Sequence, residues 1–123
     1  MEKYTDCEIS ILIGEIITQI ESSSDEIKFH CLSGLEIHMN HQQDCCESVD
    51  IEDIIGDLDG LIGNPILQAE CVSNESDDGC TKWTFYKLAT IKEYVTIRWL
   101  GESNGYYSID VNVSALIKDF TLA

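Results

Sequence analysis

Trp83-Thr-Phe-Tyr-Lys-Leu-Ala-Thr-Ile91, then Lys92-Glu93, then Tyr94-Val-Thr-Ile-Arg-Trp-Leu100 is the stretch that decides the fold. Both runs are rich in β-branched and aromatic residues and alternate with a period of two. On the second run, Val95, Ile97 and Trp99 fall on one face and Tyr94, Thr96 and Arg98 on the other. On the first, Thr84, Tyr86 and Leu88 share a face opposite Trp83, Phe85 and Lys87. One face of each run is core, which is the signature of an antiparallel hairpin. Lys92-Glu93 is a poor type I′ pair, so the turn is expected to be longer or bulged. Beyond the hairpin, Gly101-Glu-Ser-Asn-Gly105 reads as a second turn, signalled by Asn104-Gly105. Tyr106 to Val113 then reads as a third strand, and Ala115 to Phe120 as a short helix or tail.

Working back toward the N-terminus, Ile16 to Glu21, Glu26 to Cys31 and Leu35 to Met39 alternate as strands separated by Ser-rich and Ser33-Gly34 turns. Val49 and Ile51 form a further short strand. Ile54, Ile55, Leu58, Leu61 and Ile62 fall at helical spacing, with Asp53 as N-cap and Gly63 as stop. Leu67, Ala69 and Cys71 alternate into an acidic loop, Ser73 to Gly79. The expected fold is mainly β (α+β): one antiparallel sheet domain over residues 1–123, with one short helix near residues 53–62.

Charge is the strongest compositional signal. The chain has 23 Asp+Glu against 7 Lys+Arg in 123 residues, a net charge of −16. No Lys or Arg lies between Lys28 and Lys82, where twelve acids do. Such a surface repels anions and steers basic partners inward. Direct binding to nucleic acid or an anionic membrane is therefore not expected, since phosphate contacts need clustered cations. No apolar run reaches the roughly 20 residues of a membrane span. Met1 to Asp6 is polar and acidic, without the apolar core of a secretory signal, so the expected setting is the cytoplasm.

Two stretches carry a family resemblance. One is His41-Gln-Gln-Asp-Cys-Cys-Glu-Ser-Val49, followed by Ile51-Glu-Asp-Ile54 and Gly56-Asp-Leu58. The other is Trp83-Thr-Phe-Tyr86, then Val95-Thr-Ile-Arg-Trp99 and Gly101-Glu-Ser-Asn-Gly-Tyr-Tyr-Ser108. Over roughly residues 12–112 the chain resembles a family of small phage and prophage proteins known only as a domain of unknown function. The resemblance implies a viral accessory protein made in the cytoplasm of a bacterial host. Accessory proteins of this kind often antagonise host defence.

Six cysteines are present, at positions 7, 31, 45, 46, 71 and 80. In a reducing compartment a disulfide framework is not expected, and adjacent Cys45 and Cys46 cannot form an ordinary bridge. His38, His41, Cys45 and Cys46 lie within nine residues and are candidate zinc ligands. The alternative is that the thiols are buried and the histidines are satisfied by nearby carboxylates. A Cys45/Cys46 nucleophile paired with His41 or His38 is disfavoured, because neighbouring acids raise a thiol pKa. No phosphate loop, nucleophile elbow or dinucleotide fingerprint occurs, so no enzyme and no cofactor are expected.

Two binding modes remain. In the first, Trp83, Phe85, Tyr94, Arg98, Ser103, Asn104, Tyr106 and Tyr107 form a site for a nucleotide-like small molecule. Arg98, the only arginine, and the aromatic rings would stack on a base, and the Ser103-Asn104 turn would meet ribose or phosphate. In the second, Asp50, Glu52, Asp53, Asp57 and Asp59 imitate nucleic-acid phosphates and occupy a basic groove of a host defence protein. A zinc-stabilised accessory or structural role is a third alternative. Exposed strand edges also point to a homo-oligomer.

Overall fold

The computed structural model describes residues 4–117 and consists of two antiparallel sheets around one apolar core. Among these residues nine strands occur in chain order. They are β1 (Thr5–Asp6), β2 (Ile17–Ser22), β3 (Glu26–Cys31), β4 (Leu35–Asn40), β5 (Ser48–Ile55), β6 (Gln68–Glu75), β7 (Thr81–Ala89), β8 (Tyr94–Glu102) and β9 (Asn112–Ile117). The first sheet runs β1-β9-β4-β3-β2 and the second β5-β8-β7-β6. The expected mainly β, antiparallel fold is what forms.

The alternation of the central hairpin is realised residue by residue. Val95, Ile97 and Trp99 are completely buried, as is Leu88, with Thr84 and Tyr86 close behind. Facing them, Ile17, Ile27, Phe29, Ile37 and Met39 supply the first sheet's share of the core. Each such side chain contributes roughly 1.5–3 kcal/mol through burial. The β7–β8 turn is Thr90 to Glu93, longer than a two-residue hairpin. Thr90 Oγ1 accepts from the backbone N–H groups of Lys92 and Glu93, which explains how the poor type I′ pair is accommodated.

Three boundaries differ from expectation. Ile54 and Ile55 belong to strand β5, and the helix shrinks to a single 3-10 turn, Leu58–Leu61. Asp57, not Asp53, is its N-cap, its carboxylate accepting from Asp59 N–H at 3.1 Å. Pairing with β8 outweighs the helical spacing, because Ile54 stands opposite Ile97 and joins the core. Ser73 to Glu75 extend β6 rather than opening a loop, since each has a cross-strand partner on β7.

The segment Tyr106 to Val111 is not a third strand of the hairpin sheet. The chain crosses instead to the first sheet, where β9 pairs with β4 and β1, so Ala115 to Ile117 are strand. Gly101 permits this crossing. A Cβ there would lie 2.8 Å from Ile109, whose side chain packs over the glycine. Lys118 to Phe120, the remainder of the expected helix or tail, lie outside the described residues.

Candidate binding surface on the outer face of the second sheet

The face of the second sheet turned away from the core carries Trp83 and Phe85 from β7 and Arg98 from β8. Register sets their order. Val72, Phe85, Arg98 and Asp53 stand in one row across the four strands, and Asn74, Trp83, Leu100 and Asp50 in the next. Glu52, Asn74, Trp83, Phe85 and Arg98 line an open groove of about 510 Å³.

Arg98 does not pair with Glu93 or Glu102. Its Nε lies 2.7 Å from Glu52 Oε1 and its Nη2 3.8 Å from Asp53 Oδ2. Consecutive residues of a regular strand point to opposite faces, so both carboxylates reaching one guanidinium needs a cause. The cause is a β-bulge. Ile51 pairs with Trp99 and Asp53 with Arg98, so Glu52 is the extra residue on β5. Bulges re-aim side chains and are common beside functional sites. Thus Trp83, Phe85 and Arg98 from one expected site and Glu52 and Asp53 from the other meet on one surface.

Asp50, Glu52, Asp53, Asp57 and Asp59 are all exposed, along edge strand β5 and the turn after it. The rest of the expected ligand site is elsewhere. Tyr94, half exposed, stands opposite Ala89 at the far end of the hairpin. It is four residues, or about 13 Å, along the strand from Arg98. Ser103 and Asn104 cap their own turn, accepting from the N–H groups of Gly105 and Tyr106 at 3.0 Å each. Tyr106 and Tyr107 pack edge to face at 5.0 Å, and Tyr106 is 82% exposed. None of these five lines the groove.

The zinc candidates are not brought together. His38 Nε2 lies 3.1 Å from Glu36 Oε1, and its ring packs against Tyr4 at 4.5 Å. His41 bonds through Nδ1 to the Asp110 carbonyl at 2.7 Å and through Nε2 to Glu47 at 2.8 Å. The two ring nitrogens thus tie His41 to the crossing segment on one side and to Glu47 on the other. Cys45 and Cys46 are exposed rather than buried, and they are joined to each other as a disulfide with Cα atoms 3.7 Å apart. This bond between sequence neighbours departs from the expectation of free, buried thiols. Among the described residues, no three His, Cys, Asp or Glu side chains are grouped to hold a metal ion.

Glu47 gives the His41-to-Val49 motif its physical meaning. Its inaccessible carboxylate accepts from His41 Nε2 and from the N–H groups of Asp44 and Cys45 at 2.8 and 3.0 Å. The His41 bond and the Cys45 N–H hold its pKa down to about 2. This clasp joins the end of β4 to the start of β5 and, through Asp110, to the crossing segment. In the sequence Glu47 is one of many acids, and its spacing from His41 is the signal that sets it apart.

The remaining thiols resist ionisation. Burial pushes Cys31 up to about 12 and raises Cys7, Cys71 and Cys80. Cys7 and Cys71 line a second cleft of about 500 Å³ between the two sheets, beside the buried Tyr86.

Among the described residues, no helix is long and apolar enough to cross a membrane. Neither the curated proteins nor the solved structures contain a match to this chain. The expected span of 12–112 is close to the 10–113 matched by one family model, and the chain belongs to that family, a domain of unknown function, DUF7448.

Proposed function

We propose that this protein is a non-catalytic binding protein that sets its acidic outer sheet face against a basic surface of a partner protein, as a phage-borne antagonist of host defence. The observation carrying this reading is the position of Arg98 between Glu52 and Asp53. The only arginine is spent inside the surface, and the face keeps a surplus of negative charge beside half-buried aromatic rings. Aromatic residues within a charged rim have the composition of binding hot spots, and the acids favour a Lys/Arg-rich counterpart. The phage setting rests on the resemblance of the motifs alone.

The test is fluorescence anisotropy of a labelled, arginine-rich peptide at rising salt. Asp50→Asn with Asp53→Asn is expected to weaken binding several-fold. Asp6→Asn with Glu8→Gln, which removes the same charge from the other sheet's side, is expected to have little effect. Equal losses from the two pairs would reduce the interaction to net charge and overturn the reading.

A second reading is favoured by the groove itself. Trp83, Phe85, Asn74 and Arg98 offer stacking and amide groups to a nucleotide-like ligand, and stacking is worth roughly 1–3 kcal/mol per base. A thermal shift with a nucleotide panel that Trp83→Leu abolishes would support it; a flat panel would remove it. Self-association belongs to either reading, because β2 and β6 are sheet edges. Sedimentation velocity reads it directly.

A further inference from the structure

The groove beside Arg98 has a chemistry more specific than acidity, and that chemistry names an occupant if the outer face docks a basic partner, the reading on which the inference rests. Trp83 and Phe85 are half-buried on the groove's lining, with Glu52, Asn74 and Arg98 beside them. Glu52 and Arg98 balance within the groove, and Asp53, on the other side of the guanidinium, leaves the face around it with one surplus negative charge. Glu52 meets Arg98 through Oε1, which leaves its second oxygen to accept from a ligand. Asn74 adds an amide oxygen.

An anion entering this groove meets the surplus charge. An apolar group gives nothing to the second Glu52 oxygen or to the Asn74 amide. A cation meets aromatic faces, which attract it, and a carboxylate. A guanidinium fits better than an ammonium because it is planar, stacks on an aromatic ring and presents several donors in a fixed fork. The bulge that turns Glu52 onto this face is an independent sign that its placement is specified. We propose that the groove receives one arginine side chain of the basic partner, stacked on Trp83 and Phe85 and bonded to Glu52 and Asn74.

The experiment titrates the full chain with three basic peptides that differ only at one central residue: arginine, lysine or citrulline. Tryptophan fluorescence is the readout. Trp99 is fully buried and Trp83 is not, so a ligand-induced change reports Trp83. The arginine peptide is expected to bind about fivefold tighter than the citrulline peptide, with lysine between them. Read for the variants by anisotropy of the labelled peptides, which does not need Trp83, Trp83→Leu and Glu52→Gln should each erase that preference. Should Trp83→Leu fail to fold, the near-isosteric Glu52→Gln decides alone. Equal affinity for arginine and citrulline, with binding that still weakens in salt, overturns the arginine receptor and leaves the docking reading standing. Absence of salt-dependent binding by all three overturns both.

Discussion

Arg98 Nε sits 2.7 Å from Glu52 Oε1, across a bulge that also brings Asp53 to the same guanidinium. Both partners of the closer pair are about one-third exposed, so water screens the interaction. Pairs of this kind contribute about 0–1 kcal/mol. Arg98→Met, which keeps much of the aliphatic stem, should therefore change the urea-unfolding free energy by no more than about 1 kcal/mol. A loss of several kcal/mol would make Arg98 a structural keystone rather than part of a surface.

The clasp around Glu47 predicts a pH dependence. A carboxylate held at about 2 when folded and near its ordinary value when unfolded stabilises the fold above that ordinary value. The contribution is lost as pH falls toward about 2. Glu47→Gln should lower the thermal midpoint at pH 7, and the gap to wild type should close steadily below about pH 4–5. Circular dichroism melts across that range measure it. A gap independent of pH would mean that Glu47 acts by packing alone.

Gly101 predicts a steric effect. Adding a Cβ brings it to 2.8 Å from both the Ile109 side chain and its carbonyl oxygen, backbone that has little room to move. Gly101→Ala should destabilise by about 1–3 kcal/mol, the usual range for overpacking. Hydrogen exchange should quicken selectively between residues 103 and 113. Unchanged exchange there would show that the crossing segment does not depend on the glycine.

Gly56, directly after β5, has φ +106, and a Cβ there would lie 2.5 Å from the Tyr94 carbonyl oxygen. Gly56→Ala combines left-handed strain of about 1–2 kcal/mol with this clash. Chemical denaturation should show a loss above about 1 kcal/mol. A neutral result would mean that the turn has another conformation available.

The hairpin was legible because alternation is local: Val95, Ile97 and Trp99 occupy the buried face their spacing assigns. Glu26 to Cys31 was legible for the same reason. What failed depended on distant pairing. Nothing near Ile54 announces that Ile97 will claim it for a strand, and nothing near Asn112 announces that β4 will draw the chain into the other sheet. In the candidate site, Trp83, Phe85 and Arg98 shared a face by parity. Glu52 and Asp53 escaped notice as their partners because a bulge breaks parity and leaves no fixed mark in the sequence. The His41–Glu47 bond was legible only as a general expectation that carboxylates satisfy the histidines.

The most direct measurement is the affinity of the arginine-centred basic peptide for wild type and for Arg98→Met, by calorimetry, with adenosine monophosphate run in parallel. Removing Arg98 frees Glu52 and Asp53 and makes the face one unit more negative. The account predicts that Arg98→Met binds the peptide as tightly as wild type or a few-fold tighter, with a steeper salt dependence, and that neither protein binds the nucleotide. Peptide binding lost in Arg98→Met, or nucleotide binding by wild type that Arg98→Met abolishes, would contradict it.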